Sequence, residues 1–250
     1  MIDFFFENSS FLIFIIFTFV LAGSIKGCLG IGLPAAAMSL MTIRIDPIEA
    51  ISILTIPIIF TNIAQYFRSQ KRLETAIELK FFAIFLIVTV FVTSFFIKSY
   101  PTNLLTTSIG IAMVLFSLNT LIGFKIKLNA SLFWQFIFGV ISGILGGLSS
   151  IWAPPVAMYL IARDYPKERF IGSTGFLFFV GSIPLTAGLF LAGVLSMDIF
   201  FKSLIALVAS LIGFRIGEIV RSYVSENIFR KAVLVFFLIM GIRLVIISIY

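Results

Sequence analysis

The chain has 250 residues, 60% of them hydrophobic and only 12% charged, and its mean hydropathy is +1.18. A soluble domain is about half apolar and about a quarter charged, so this chain lacks the polar groups to cover a water-soluble globule. It has no histidine and one cysteine, Cys28, which excludes His relays, His-ligated metals, Ser–His or Cys–His nucleophiles, internal disulfides and cysteine zinc clusters together.

Apolar stretches run over 9–25, 33–43, 49–67, 80–97, 103–124, 132–148, 151–162, 170–195, 199–220 and 228–249. At about 20 apolar residues per crossing, the chain holds about eight passes and no soluble domain. The expectation is an all-α polytopic membrane protein forming one integral membrane domain over 1–250. Met1–Glu7 carries Asp3 and Glu7 and no cation, unlike the basic start of a secretory signal, so the first apolar stretch is expected to be retained.

Two places interrupt the pattern in the same way. Residues 23–34 read Gly-Ser-Ile-Lys-Gly-Cys-Leu-Gly-Ile-Gly-Leu-Pro, and 143–155 read Gly-Ile-Leu-Gly-Gly-Leu-Ser-Ser-Ile-Trp-Ala-Pro-Pro. A shift of 120 residues aligns Gly23 with Gly143, Gly27 with Gly147, Pro34 with Pro154, Ala37 with Ala157, Met38 with Met158 and Leu40 with Leu160. A loop with Asp and Pro follows each segment: Asp46-Pro47, then Asp164-Tyr165-Pro166. The pattern predicts two homologous halves, about 9–124 and about 132–249. Each half has one Gly/Pro-broken helix pair, re-entrant or discontinuous, and three transmembrane helices.

The first leg, read as 11–25, is about 22 Å long as a helix and the second, 33–43, about 16 Å. Neither reaches across a hydrocarbon core of about 30 Å. Each pair is therefore one broken crossing or a hairpin returning to its own side, and loop charges discriminate. With hairpins, Arg68, Lys71, Arg72, Lys80, Lys125, Lys127, Arg163, Lys167, Arg169, Arg215, Arg221, Arg230 and Lys231 share one side, 13 of the 18 Lys and Arg, against Arg44, Lys98 and Lys202 on the other. With single crossings the two sides nearly balance. The positive-inside rule favours hairpins and both termini outside. It also gives three full crossings per half, hence halves of opposite orientation, the inverted-repeat plan of many secondary transporters. The net charge of +7 is then an orientation signal in a cell membrane, inner or plasma, and not a nucleic-acid footprint.

The candidate site follows from the two interruptions. Gly27, Gly30 and Gly32 let backbone N–H groups approach a ligand, and Pro34 suits the first turn of a new helix. A helix N-terminus at membrane depth favours an anion. Lys26 adds a formal charge in a place where a lone lysine needs a partner or a function. The second segment offers Gly146, Gly147, the hydroxyls of Ser149 and Ser150, an aromatic wall from Trp152, and Pro154. Cys28 and Asn62 complete the candidate substrate-binding set. Bland readings stand beside these. Glycines in membrane helices also serve close packing, and Lys26 on a tilted helix end would snorkel. Cys28 also reads as a small apolar filler, Trp152 as an interfacial anchor and Asn62 as an interhelical hydrogen bond. Gly213 and Gly217 read as a packing seam, and Glu218 as a partner of Arg215 or Arg221 one turn away.

These segments resemble the sulfite exporter TauE/SafE family. The likeness rests on the run Gly23, Gly27, Gly30, Gly32 with Pro34 after it, on Gly143 to Pro155, and on Gly213-Phe-Arg-Ile-Gly217 before the last helix, and covers roughly 11–249. It implies two duplicated membrane halves and movement of sulfite, sulfoacetate or related sulfur anions. Gly27, Gly30, Gly32, Pro34, Gly147 and Pro154 match its Gly-centred pattern; Ser149, Ser150 and Trp152 lie outside it.

The resulting expectation is a secondary transporter of small anions, an exporter, with no cofactor, no metal and no catalytic residues. Its partners are the anion and the bilayer, and a homo-oligomer is left open. The competing classes are a non-transporting membrane partner or assembly protein, and a carrier of a different small organic anion. An intramembrane protease would need paired acids, Ser–His or a zinc motif, which the sequence lacks.

Overall fold

In lipid the backbone must satisfy its own hydrogen bonds, and a helix does so within each segment. The computed structural model describes residues 9–69, 71–123, 127–223 and 226–249, and every regular element among them is helical. In chain order they are α1 (Ser9–Leu29), α2 (Leu33–Met41), α3 (Pro47–Phe67), α4 (Arg72–Glu78), α5 (Lys80–Phe95), a 3-10 turn at Ile97–Ser99, α6 (Thr102–Ile122), α7 (Leu132–Ser149), α8 (Ala153–Ala162), α9 (Lys167–Leu191), α10 (Met197–Tyr223) and α11 (Glu226–Ile249). Among the described residues six helices (α1, α3, α6, α7, α9 and α10) are long and apolar enough to cross a membrane. The α4–α5 pair, bent by 71°, makes a seventh if taken as one span. Ile13 and Phe17 of α1 and Val208 and Ile212 of α10 are all more than half exposed, an apolar outer surface suited to lipid.

The helices start and stop where local chemistry says they should. Asp46 caps α3 by accepting from Ile48 N at 2.7 Å, with Pro47 in the first turn. Pro57 has no N–H and interrupts the ladder inside α3. Ser203 of α10 repairs the gap, donating to Ile53 O at 2.7 Å and accepting from Ile56 N at 3.3 Å. Ser131 starts α7 by accepting from Trp134 N at 3.4 Å.

The first interruption lies later than the sequence reading put it. Instead of a 15-residue leg ending at 25, α1 continues to Leu29, 21 residues or about 31 Å, enough to cross. Gly23 and Gly27 do not break it, because α10 packs on them. A Cβ on Gly23 would overlap the Ser210 carbonyl and one on Gly27 the Phe214 carbonyl. Gly213 and Gly217 return the contact against the carbonyls of Val20 and Ser24. This is the close backbone approach of small-residue seams in membranes, so the Gly213–Gly217 seam is present and Gly27 belongs to it. The chain turns at Gly30 and Gly32, whose φ values of 79° and 101° are open to glycine and strained for other residues.

The second interruption behaves alike. α7 runs 18 residues to Ser149 and is itself long enough to cross. Gly139, Gly143 and Gly147 press on Phe82, Thr89 and Thr93 of α5, so Gly147 is also a packing residue. Ser150 then turns the chain in the left-handed conformation, φ 59°.

Packing is pairwise: α1 on α10, α5 on α7, α3 on α9, α6 on α11, with α3 also meeting α10 and α5 meeting α9. Side-chain contacts define the two ends of the bundle. At one end the Arg44 guanidinium lies 4.8 Å from the Phe14 ring and Lys202 Nζ 5.0 Å from the Phe11 ring. Lys202 also pairs with Glu49 at 2.8 Å and Asp198 at 2.6 Å. At the other end Leu128 N donates to Ala162 O at 2.9 Å, and Gln135 of α7 bonds the backbone at Glu78 and Phe82. There too Arg163 meets Glu78 at 3.4 Å, and Arg169 meets both Glu78 and Glu74.

Candidate anion site

Buried polar side chains concentrate on the central pair. Ser52, Thr55, Thr61, Asn62 and Gln65 of α3 and Ser173, Thr174 and Ser182 of α9 are all buried, as polar groups in a membrane bundle must be when they face its interior. Gln65 Nε2 donates to Ile171 O at 2.8 Å and to Thr174 Oγ1 at 3.1 Å, joining the two helices. Its Oε1 has no hydrogen-bond partner, nor does Ser173 Oγ.

Lys26 stands in the last turn of α1 and is 2% exposed. Its Nζ donates to the Asn62 Oδ1 of α3, a neutral acceptor. Lys26, Gly27 and Gly30 line a pocket of about 270 Å³ together with Gln65, Arg68, Ile171, Phe214 and Glu218. That volume is just below the usual range for drug-sized ligands. Across it Arg68 pairs with Glu218 at 3.1 Å, and Arg215 holds the other Glu218 oxygen at 2.8 Å.

The second group of candidates forms a different place. Gly32, Pro34 and Ala35 from the first break meet Ser150, Ile151, Trp152 and Ala153 from the second around a void of about 10 Å³, with Phe116 and Phe178. This is roughly room for one water. Ser150 Oγ and Trp152 Nε1 are buried there without a hydrogen-bond partner. Trp152 is 1% exposed, with its ring 5.9 Å from Phe178, so it is a core residue and not an interfacial anchor. Gly146 lies under that ring: a Cβ on it would overlap Trp152. Ser149 is occupied as a cap, donating to Leu145 O at 2.6 Å and accepting from Ile151 N at 3.1 Å. Pro154 sits buried in the first turn of α8, and Cys28 is buried in α1.

The candidates that line a cavity thus divide between an open charged pocket (Lys26, Gly27, Gly30) and a small hydroxyl–indole void (Gly32, Pro34, Ser150, Trp152). Both lie where a long helix ends in a left-handed cap. Gly30 N donates to Lys26 O at 2.7 Å and, 120 residues on, Ser150 N donates to Gly146 O at 2.8 Å.

The description "Sulfite exporter TauE/SafE" matches residues 15–244, nearly the whole chain. The chain belongs to the sulfite exporter TauE/SafE family. No curated protein and no solved structure matches it. As a TauE/SafE protein with six apolar helices of spanning length, it is a multi-pass membrane protein of a transporter family, and its class of cargo is the small anion. The candidate set left out five lining residues of the pocket in this TauE/SafE chain: Gln65, Arg68, Ile171, Phe214 and Glu218. Arg68 read as one loop cation among many, and Glu218 as a partner of Arg215 or Arg221. The signal that would have found Gln65 is periodicity, because Asn62 and Gln65 lie three residues apart on one helix face.

Proposed function

We propose that this protein is a secondary exporter of sulfite, sulfoacetate or a related sulfur oxyanion or organosulfonate, and that the Lys26 pocket receives the anion. The observation that carries the reading is Lys26 itself, a cation only 2% exposed that bonds the neutral Asn62 amide on the wall of a small pocket. A buried cation is stabilised by an opposite charge, and an anion in the pocket supplies one. The backbone turn at Gly30 adds close approach without a Cβ.

The architecture we propose around it is an inverted repeat of two hairpin-plus-three-helix halves. What supports this is the exchange of partners: the first helix of each half (α1, α7) packs on the penultimate helix of the other (α10, α5), while α3 meets α9 and α6 meets α11. The contacts Arg44–Phe14 and Leu128–Ala162 return α2 and α8 to the ends where α1 and α7 begin. By the positive-inside rule, the end holding Arg68, Arg163, Arg169 and the pocket mouth is cytoplasmic in a plasma or inner membrane. An inside-negative potential then drives anions outward by roughly 2.3 kcal/mol per charge per 100 mV. The whole site would comprise the open pocket and, further along the path, the void between the two breaks with Gly32, Pro34, Ser150 and Trp152.

The test is flux of radiolabelled sulfite and sulfoacetate in proteoliposomes. Saturable flux that disappears in Lys26→Ala is expected. Absence of saturable flux for any small anion overturns the transport reading, and unchanged flux in the variant removes Lys26 from it.

A further inference from the structure

Glu218 is a carboxylate placed where an incoming anion would sit. It lines the Lys26 pocket beside Arg68. One oxygen meets the Arg68 guanidinium at 3.1 Å and the other meets Arg215 at 2.8 Å. The arginines are well solvated, with side chains 67% and 76% exposed, whereas Glu218 is 29% exposed. The bridge joins α10 to Arg68, the residue that caps the C-terminus of α3, on the wall of the pocket that holds Lys26.

We propose that the Arg68–Glu218–Arg215 bridge is an anion-exchange latch, in which the Glu218 carboxylate occupies the Arg68 seat of the transported oxyanion and is displaced by it. This rests on the reading of the Lys26 pocket as the anion site and adds a first docking point at its mouth. Three physical arguments carry it. A guanidinium presents a planar fork that fits two oxygens of a carboxylate, sulfonate or sulfite equally well, so Glu218 and the cargo compete for one partner. A solvated ion pair contributes little, and a ligand can open it. Glu218 also keeps Arg215 as an alternative partner on its own helix, so it is not left unpaired when Arg68 turns to the cargo. The chemistry selects anions with several oxygens over a spherical halide.

The test exploits a difference in sign. Sulfite binding to purified protein is measured by calorimetry, with transport KM measured in proteoliposomes. Glu218→Gln and Arg68→Gln break the same ion pair, so a merely structural bridge would give both the same effect. The latch predicts opposite effects: Glu218→Gln lowers the sulfite Kd and KM by about two- to fivefold, and Arg68→Gln raises them by about that factor. Arg215→Gln, which leaves Glu218 to Arg68 alone, also raises them; Glu218→Ala carries the comparison with Arg68→Gln if Glu218→Gln fails to fold. Chloride affinity moves less than sulfite affinity in all three. Shifts of the same sign in Glu218→Gln and Arg68→Gln, or no shift in either, in a protein that binds sulfite and loses it with Lys26→Ala overturn the latch while sparing the transport reading. A wild-type protein that binds no sulfite overturns both.

Discussion

The two chain breaks share a backbone and differ in chemistry. Position by position along the 120-residue shift, Lys26 corresponds to Gly146, Gly30 to Ser150 and Gly32 to Trp152. Both caps are left-handed. In the first half the side chain stands on the helix and the turn is bare, which leaves a charged pocket. In the second half the helix is bare and the Trp152 ring fills the space over Gly146. The surroundings follow suit: Asn62, Gln65 and Arg68 correspond to Ser182, Leu185 and Gly188, and Gly188 is packed against Ser94. The two left-handed breaks are alike in backbone, while residues at three or four positions decide whether the break borders a charged pocket or is filled by a ring.

The seams beside the breaks differ as well, and the largest expected effect lies there. α1 and α10 touch backbone to backbone, whereas Gly147 of α7 touches the Thr93 side chain. Gly217→Val should cost more than ~3 kcal/mol, since no rotamer change relieves a clash with the Ser24 carbonyl. Expression and thermal melting in detergent would read this as loss of folded protein. Gly147→Ala should be milder, and partly restored by Thr93→Gly, because the obstacle is a side chain.

Lys26→Met separates stability from function. Sulfite flux should fall by about 10- to 100-fold, the worth of a charged hydrogen bond. The melting temperature should hold or rise, because an apolar chain of similar length replaces a buried cation. A variant that transports normally but melts early would show that Lys26 is a structural residue.

The ion clusters at the two ends sharpen the comparison further. Glu49 and Asp198 correspond to Arg169 and Glu78 under the same shift, so one end has a direct Arg–Glu pair and the other has two acids bridged by Lys202. Lys202→Gln should destabilise the fold by about 1–2 kcal/mol, leaving two partly buried carboxylates facing each other. Arg169→Gln should cost less, since Arg163 remains on Glu78. Denaturation in mild detergent would rank the two variants, and the reverse ranking would break the assigned pairing. The smallest effect is Ser203→Ala, about 0.6 kcal/mol by the usual worth of an interhelical hydrogen bond in membranes, because the Ile53 carbonyl that Ser203 serves then has no donor.

Much of this was legible in the sequence. Hydropathy located the spanning helices, Asp46-Pro47 announced the start of α3, and the Gly/Pro runs marked both turns to within a few residues. The glycines misled about their use. A glycine permits a turn and a close contact equally, and only the partner helix decides; Gly23 and Gly27 met α10, so α1 ran on four residues longer than expected. The candidate set was read as one site, yet it divides between a pocket and a void, because side-chain direction at Lys26, Ser149 and Trp152 depends on packing that no single segment encodes. Glu218 and Arg68 were invisible as a pair, being 150 residues apart.

Calorimetric titration of sulfite into wild-type protein, Lys26→Met and Ser150→Ala tests the central claim most directly. The account predicts binding to the wild type, none detectable in Lys26→Met, and binding within about threefold of wild type in Ser150→Ala, the loss of one weak hydroxyl contact. Retained binding in Lys26→Met with loss in Ser150→Ala would contradict it and move the anion seat to the second break.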